Sequence, residues 1–426
     1  MLKTQFIRDE RDKVVRSLKI RNWTDDKIAI LDRVISADDM RKNTQTELDK
    51  LLSQLNQLSK QIGDLFKSGE REEAEQLKQG IPTIKKKTQQ LQNTLSEAKD
   101  SLSELLLQIP NITHTSVPAG IEDSDNELFE DCKSELKSLG DDALPHWDLA
   151  IKYDIIDMVA GAKITGSGFP VFKGKGARLQ RSFISFLLDE VTKAGYLEII
   201  PPLLVNEDSA RATGQLPDKD GQMYHAVADD LYLIPTAEVP ITNLYRDVIL
   251  KEDDFPIKMA GYTPCFRREA GSYGSDVKGL NRVHQFDKVE IVQITHPDHS
   301  YDTLQKMVKL VGQLLDKLEL PYRILRLCGG DIGFTSALTF DFEVYSLAQK
   351  KWLEVSSVSN FETYQTNRLK CRFKDSEGKS QLAHSLNGSA FGLARIMAAV
   401  LENNQTSNGI HIPDVLREYT GFNIID

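Results

Sequence analysis

Residues 261–292, GYTPCFRREAGSYGSDVKGLNRVHQFDKVEIV, carry two stretches of β-type residues around a long polar loop. They read as strand, loop, strand. The first strand ends in Phe266-Arg267-Arg268-Glu269, the loop holds Gly271, Gly274 and Gly279, and the return strand carries Phe286, Asp287, Lys288 and Glu290. An arginine at a strand end, aimed out of the sheet, suits a phosphate, because guanidinium is permanently charged and grips two oxygens at once. Side chains alternate along a strand, so Glu269 is expected on the same face as Arg267, placed to accept hydrogen bonds from an adenine amino group. Phe286 offers a plane on which a base can stack. The same residues also suit an ordinary surface hairpin laced with salt bridges, and this stretch by itself leaves both readings open.

The surroundings of this hairpin are β-rich. From about residue 140 glycine and aromatics increase, and short β-type runs appear at 197–200, 231–234, 288–294, 339–345 and 352–356. Amphipathic helical stretches at 179–194 and 301–318 lie between them. Strand clusters separated by helices at irregular intervals predict an α+β domain over residues 140–426 with a mainly antiparallel sheet.

The N-terminal quarter follows a different rule. Leu48, Leu51, Leu55, Leu58, Ile62 and Leu65 alternate spacings of three and four, which is a heptad seam. The pattern stops at Lys67-Ser68-Gly69-Glu70. It resumes at Ala74, Leu77, Ile81, Ile84, Thr88, Leu91, Leu95, Ala98, Leu102 and Leu105. Two seams joined by a turn predict an antiparallel helical hairpin over about residues 31–107, each helix on the order of 50 Å long at about 1.5 Å per residue. Gly80 and Pro82 predict a bend or frayed turn, since proline removes a helical hydrogen bond. The hairpin closes at Ile109-Pro110-Asn111, giving an N-terminal domain at 1–110. The acidic stretch GIEDSDNE at 120–127 then predicts a linker over 111–139. On pattern alone the hairpin fits a dimerisation coiled coil or a spacer as well as an RNA-binding arm. Lys85-Lys86-Lys87 is by itself a solvated helix face.

Composition narrows the classes. The 426 residues carry a net charge of −10, which weighs against generic nucleic-acid binding while leaving room for a local basic surface. No apolar run approaches the roughly 18 residues of a membrane span. The start, MLKTQFIRDERDK, is charged where a signal peptide is apolar. The 4 cysteines are far apart, which argues against a disulfide framework and a cysteine zinc site and points to a reducing cytoplasm. The sequence contains no P-loop pattern and no G-x-G-x-x-G after a strand, and its 8 histidines are scattered.

Taken in order along the chain, several segments resemble one family. FRREAG with HQFDKVE resembles motif 2 of the class II aminoacyl-tRNA synthetases, in the form found in seryl-tRNA synthetases. GYLEIIPP at 195–202 resembles motif 1, a dimer-interface element, and LNGSAFGLAR at 386–395 resembles motif 3. LIPTAE at 233–238 resembles the family's serine-binding segment, and EVSS at 354–357 its metal and ATP segment. The opening MLKTQFIRDE, Pro110-Asn111 and His146-Trp147 match the same style, so the likeness covers almost the whole chain.

The resemblance implies ATP-dependent activation of L-serine as its adenylate and transfer to the 3′ end of serine tRNA, with selenocysteine tRNA as a further substrate where it exists. It implies Arg267 and Arg395 as the catalytic residues. Arg267 and Glu269 would hold the α-phosphate and adenine, Phe286 would stack on the base, and Arg282 would contact phosphate. Arg268, Val283, Val355 and Ser356 complete the ATP set. Arg395 would hold the γ-phosphate end of a bent ATP, and Glu354 and Ser357 would supply oxygens to Mg2+. Thr236, Ala237, Glu238, Glu290, Asn387 and Ser389 would form the serine pocket. The resemblance also implies a homodimer, no membrane association, and an arm that meets the tRNA backbone by shape and charge. Lys60, Lys67, Arg71, Lys78, Lys85, Lys86 and Lys87 are its candidate phosphate contacts. Arg268, Leu338, Ala394 and Pro82 depart from the family's pattern. Two rival readings are a class II ligase that loads a carrier protein and a catalytically silent RNA-binding relative. The intact arm weighs against the first, and the retained arginines and carboxylates against the second.

Overall fold

The structure, a computed structural model, describes residues 1–136, 139–140, 142–218, 221–269 and 278–426. The chain forms two compact units, Leu2–Lys19 with Trp23–Pro110, and Met1 with Ile20–Asn22 and Asn111–Asp426.

In the first unit, α1 (Thr4–Asp9), α2 (Arg11–Ile20) and α3 (Asp25–Ile28) precede the long helix α4 (Ile30–Ser68). Gly69 ends α4 with φ +88°, a left-handed conformation that glycine adopts without a Cβ penalty. The chain returns through α5 (Arg71–Lys78) and α6 (Ile81–Leu107). The bend predicted at Gly80 and Pro82 is a break between these two helices. Pro82 sits in the first turn of α6, where its missing N–H has no intrahelical acceptor to lose. Leu48, Ile62, Ala74, Leu95, Ala98, Leu102 and Leu105 of the seam are buried, whereas Leu77 is exposed. Burying each such leucine contributes about 2 kcal/mol. Asp38 near the start of α4 is buried and takes Arg41 at 2.8 Å, Lys42 at 2.9 Å and Arg8 of α1 at 3.2 Å, which ties the short helices to the long one.

The second unit is built on an eight-stranded sheet. Its strands are β1 (Glu127–Glu130), β2 (Leu197–Glu198), β3 (Ile257–Phe266), β4 (Gln285–Thr295), β5 (Tyr322–Arg326), β6 (Leu338–Ser346), β7 (Lys351–Glu362) and β8 (His384–Gly392). Their order is β1-β5-β6-β7-β8-β4-β3-β2. Every pairing is antiparallel except β2 with β3. The helices that matter for the site are α7 (His146–Lys152), α8 (Gly174–Lys193), α9 (Glu238–Asn243), α10 (Ser300–Lys317) and α11 (Leu393–Asn403). Phe183 and Leu187 of α8, Met307 and Val311 of α10, and Ile396 and Met397 of α11 pack with Val289, Ile291, Phe340 and Phe342 of the sheet in one core. The last strand, β8, inserts between β7 and β4. That insertion sets Glu290 opposite Ser389 and Val358 opposite Gly388, so three distant stretches of sequence become neighbours.

Two expectations are corrected here. The acidic stretch at 120–127 is not a free linker. β1 extends the sheet edge beside β5, and Asn126 accepts from the Cys328 N–H at 2.8 Å and donates to Asp331 at 2.8 Å. Its polar side chains satisfy backbone groups, a use that composition cannot distinguish from solvation. The first strand of the hairpin also stops at Phe266, short of Glu269. Glu269 has φ +48°, so a turn and not strand alternation aims its side chain. The loop glycines Gly271 and Gly274 lie outside the described residues. Among the described residues no helix is long and apolar enough to cross a membrane.

Candidate active site

A cavity of about 370 Å³ opens on the face of the sheet between the end of β3, β4, β7 and β8. Strand alternation explains its floor. Phe286, Lys288 and Glu290 lie two apart on β4 and all line it, while Val289 between the last two and Ile291 just after them enter the core. Arg267, Glu269, Arg282 and Val283 reach it from the two ends of the motif 2 loop. Glu354, Val355, Ser356 and Ser357 come from β7, Asn387 and Ser389 from β8, and Arg395 from the first turn of α11.

One end of the cavity is cationic and half exposed. The Arg267 guanidinium stands 5.2 Å from the centre of the Phe286 ring, and its Nε donates to the Pro235 carbonyl at 3.3 Å. Arg282 pairs with Glu269 at 2.8 Å across the base of the loop. Arg395 donates from Nε to the Asn281 carbonyl at 2.9 Å and from Nη1 to the Glu354 carbonyl at 2.7 Å. Backbone carbonyls thus aim the guanidinium, and the half-exposed Glu354 carboxylate stands 3.5 Å from its Nη1. Gly392 borders the Phe286 ring; a methyl group there would stand in van der Waals contact with it at 3.9 Å, so the glycine leaves that flank of the ring uncovered.

The other end is anionic and buried. Glu238 at the start of α9 accepts from Gln365 at 2.5 Å and from Asn387 at 2.6 Å. Burial pushes its carboxyl up, the nearby Glu290 adds to this, and the result is about 7 from an ordinary 4.5. Glu290 is buried and pairs with Lys288 at 2.6 Å, and burial raises its carboxyl too. Thr236 bridges the pair, donating to Glu290 at 3.3 Å and accepting from Lys288 at 3.2 Å. Ser389 lies opposite Glu290 on β8.

Two residues of the expected set are placed elsewhere. Arg268 turns its guanidinium over Tyr224, 5.8 Å from the ring centre, and Ala237 is buried as the residue that precedes α9. Neither lines the cavity.

The comparisons with known proteins fall in line with this geometry. Residues 1–113 match the seryl-tRNA synthetase N-terminal domain, and residues 224–404 match the class II tRNA synthetase core domain of the G, H, P, S and T types. The serine–tRNA ligase of Salinibacter ruber is 47% identical over 424 residues, covering 99% of this chain and 98% of the relative. The chain belongs to the seryl-tRNA synthetase family. The serine–tRNA ligase of Chlorobium phaeobacteroides is 43% identical over the full length of both chains. Among solved structures, the seryl-tRNA synthetase of Pyrococcus horikoshii complexed with ATP superposes with a TM-score of 0.90 at 32% identity, covering 100% of this chain and 99% of that one.

Three residues at or behind the cavity carry no motif of their own in the sequence. Lys288 was visible two residues before Glu290, and the same alternation that links them could have found it. Gln365 and Asp341 gave no local signal. Gln365 reaches Glu238 from the segment after β7. Asp341 lies opposite Ser357 across the β6–β7 ladder.

Proposed function

We propose that this seryl-tRNA synthetase activates L-serine with ATP to give seryl-adenylate and pyrophosphate, then transfers serine to the 3′ end of serine tRNA. The observation that carries the reading is a single cavity with guanidinium groups from two distant segments at one end and two buried carboxylates at the other.

The first step is an in-line attack of the serine carboxylate on the α-phosphorus. An oxygen–phosphorus bond forms, and the bond to pyrophosphate breaks. The nucleophile is already ionised, so no general base is needed, and catalysis comes from positioning and charge stabilisation. Arg267 is placed to hold the α-phosphate and Arg395 the far end of a folded-back triphosphate. Phe286 and Glu269 suit the adenine ring and its amino group. Glu238 and Glu290 suit the serine ammonium, with Thr236, Asn387 and Ser389 around the hydroxymethyl group. A pocket built to bond that hydroxyl rejects alanine, which would strand its polar groups. In the second step the terminal ribose hydroxyl of the tRNA attacks the adenylate carbonyl and AMP leaves.

The oxygen donors beside Arg395 fit a hard divalent cation such as Mg2+. The Ser357 hydroxyl lies 3.4 Å from Glu354 Oε1, and behind them the buried Asp341 leaves Oδ1 without a hydrogen-bond partner. Burial, with Glu354 adding its charge, pushes the Asp341 carboxyl well up. Glu354, Ser357 and Asp341 would hold the ion, which when bound offsets phosphate charge.

The arm is assigned to the tRNA, with Lys60, Lys67, Arg71, Lys78, Lys85, Lys86 and Lys87 exposed along it. Lys87 pairs with Glu47 and Lys78 with Glu75, so these two would exchange partners on binding phosphate. A homodimer is supported by the exposed apolar side chains Leu197, Ile200, Leu203 and Leu204 at and beyond the edge strand β2. A cytoplasmic location suits the tRNA substrate and four cysteines that form no disulfide. The test is ATP–pyrophosphate exchange with each amino acid in turn. Serine is expected to drive exchange, and a different preferred amino acid or no exchange at all sinks the reading. A variant lacking residues 40–100 is expected to keep exchange and lose charging of serine tRNA. Loss of both in a folded variant would contradict the division of labour.

A further inference from the structure

We infer that His146, Glu402 and Gln349 are positioning residues that clamp the dipeptide Leu280-Asn281 and so hold Arg395 and the return end of the motif 2 loop in register for ATP. The inference rests on the reading of the cavity as an adenylate-forming site. α11 carries Arg395 in its first turn and Glu402 seven residues later, two turns along the same face. One end of that face reaches the dipeptide directly and the other through two intermediaries. At one end, Arg395 Nε donates to the Asn281 carbonyl at 2.9 Å. At the other, the buried Glu402 Oε1 pairs with His146 Nδ1 at 2.6 Å and accepts from Gln349 Nε2 at 2.8 Å. His146 Nε2 is 2.8 Å from the Leu280 nitrogen, whose N–H it accepts. An accepting Nε2 puts the ring hydrogen on Nδ1, which donates to Glu402. Gln349 Oε1 in turn accepts from the Asn281 side-chain amide at 2.9 Å.

Three polar groups of one dipeptide are therefore tied to one helix, the Asn281 carbonyl directly by Arg395, and the Leu280 N–H and the Asn281 side-chain amide through His146 and Gln349, which Glu402 holds. The approach is close enough to require glycine beside it. Gly279 has φ +66°, and a Cβ there would come within 2.2 Å of His146 Nε2. Beyond the clamp the chain runs directly into Arg282 and Val283, which line the nucleotide end of the cavity. None of the clamp reaches Glu238 or Glu290, so its loss should be felt by ATP and not by serine.

Two substitutions of one residue separate this role from a structural one. His146→Asn keeps a donor for Glu402 and removes the acceptor for the Leu280 N–H. His146→Gln keeps an acceptor near Nε2 and removes the donor to Glu402. The readouts are KM for ATP and for serine in pyrophosphate exchange, with Tm measured alongside. His146→Asn is expected to raise the KM for ATP about tenfold, the size of one lost hydrogen bond, with the KM for serine within about twofold and Tm little changed. His146→Gln is expected to lower Tm and leave the KM for ATP near that of the unsubstituted protein. Gln349→Ala, in the turn between β6 and β7, leaves the buried His146–Glu402 hydrogen bond in place and is expected to raise the KM for ATP about threefold. The clamp is overturned if the KM for ATP stays put in His146→Asn and Gln349→Ala, or if it follows Tm across the three variants. Serine-dependent exchange by the unsubstituted protein tests the underlying reading separately.

Discussion

At the cationic end of the cavity the charged groups are half exposed, and backbone carbonyls of Pro235, Asn281 and Glu354 steer the guanidinium groups. At the anionic end Glu238 and Glu290 are buried and wrapped by side-chain donors from Gln365, Asn387, Lys288 and Thr236. The contrast matches the ligands proposed for the two ends. A triphosphate brings several charges and can be met by solvated cations that lose little by waiting in water. A single ammonium on a small molecule offers little binding energy, so its partner must be desolvated beforehand. That preparation costs stability. Raising the Glu238 carboxyl from 4.5 to about 7 corresponds to about 3 kcal/mol. The folded state prefers the protonated form, so the cost is absent below the ordinary carboxyl value and complete above about pH 7.

The largest effect that tests this contrast is expected from Arg267→Ala. Exchange efficiency should fall about 1,000-fold, the size seen when one preorganised transition-state donor is removed. The rise in Tm caused by serine alone should survive, and its loss would show that the two ends are not separable. Glu238→Gln should come next, raising the KM for serine about 100-fold, as for a lost charge-assisted partner, with the KM for ATP within about twofold. An equal rise in both would contradict the assignment of Glu238 to serine. The smallest and most specific effect is a pH dependence. As pH falls below about 7, Glu238 takes up a proton that the serine ammonium must displace. The KM for serine should then rise about tenfold per pH unit while the KM for ATP stays flat. A slope that persists in Glu238→Gln would assign the titration to another group.

Much of the molecule was legible in one dimension. The three-four spacing of Leu48 through Leu105 set the arm, because a seam of apolar side chains needs only its own helix period to be read. Gly69 marked the turn for the same local reason. Alternation along β4 placed Phe286, Lys288 and Glu290 on one face. Reading failed where a residue acts at a distance or its geometry is not that of its neighbours. Glu269 owes its direction to a turn, and the acidic stretch before β1 proved to bind backbone groups instead of solvent. His146 and Glu402 are 256 residues apart and meet in the core, which no local pattern announces.

By itself the amino-acid order determined the helical arm, the strand-rich character of the remainder and the chemistry available at each motif, since these depend on side-chain period and type over a few turns. Only the tertiary structure decided that Arg267, Glu354 and Arg395 share one cavity. That outcome follows from β8 entering the sheet between β7 and β4, and non-local strand pairing is selected by the packing of whole faces, which no single segment encodes.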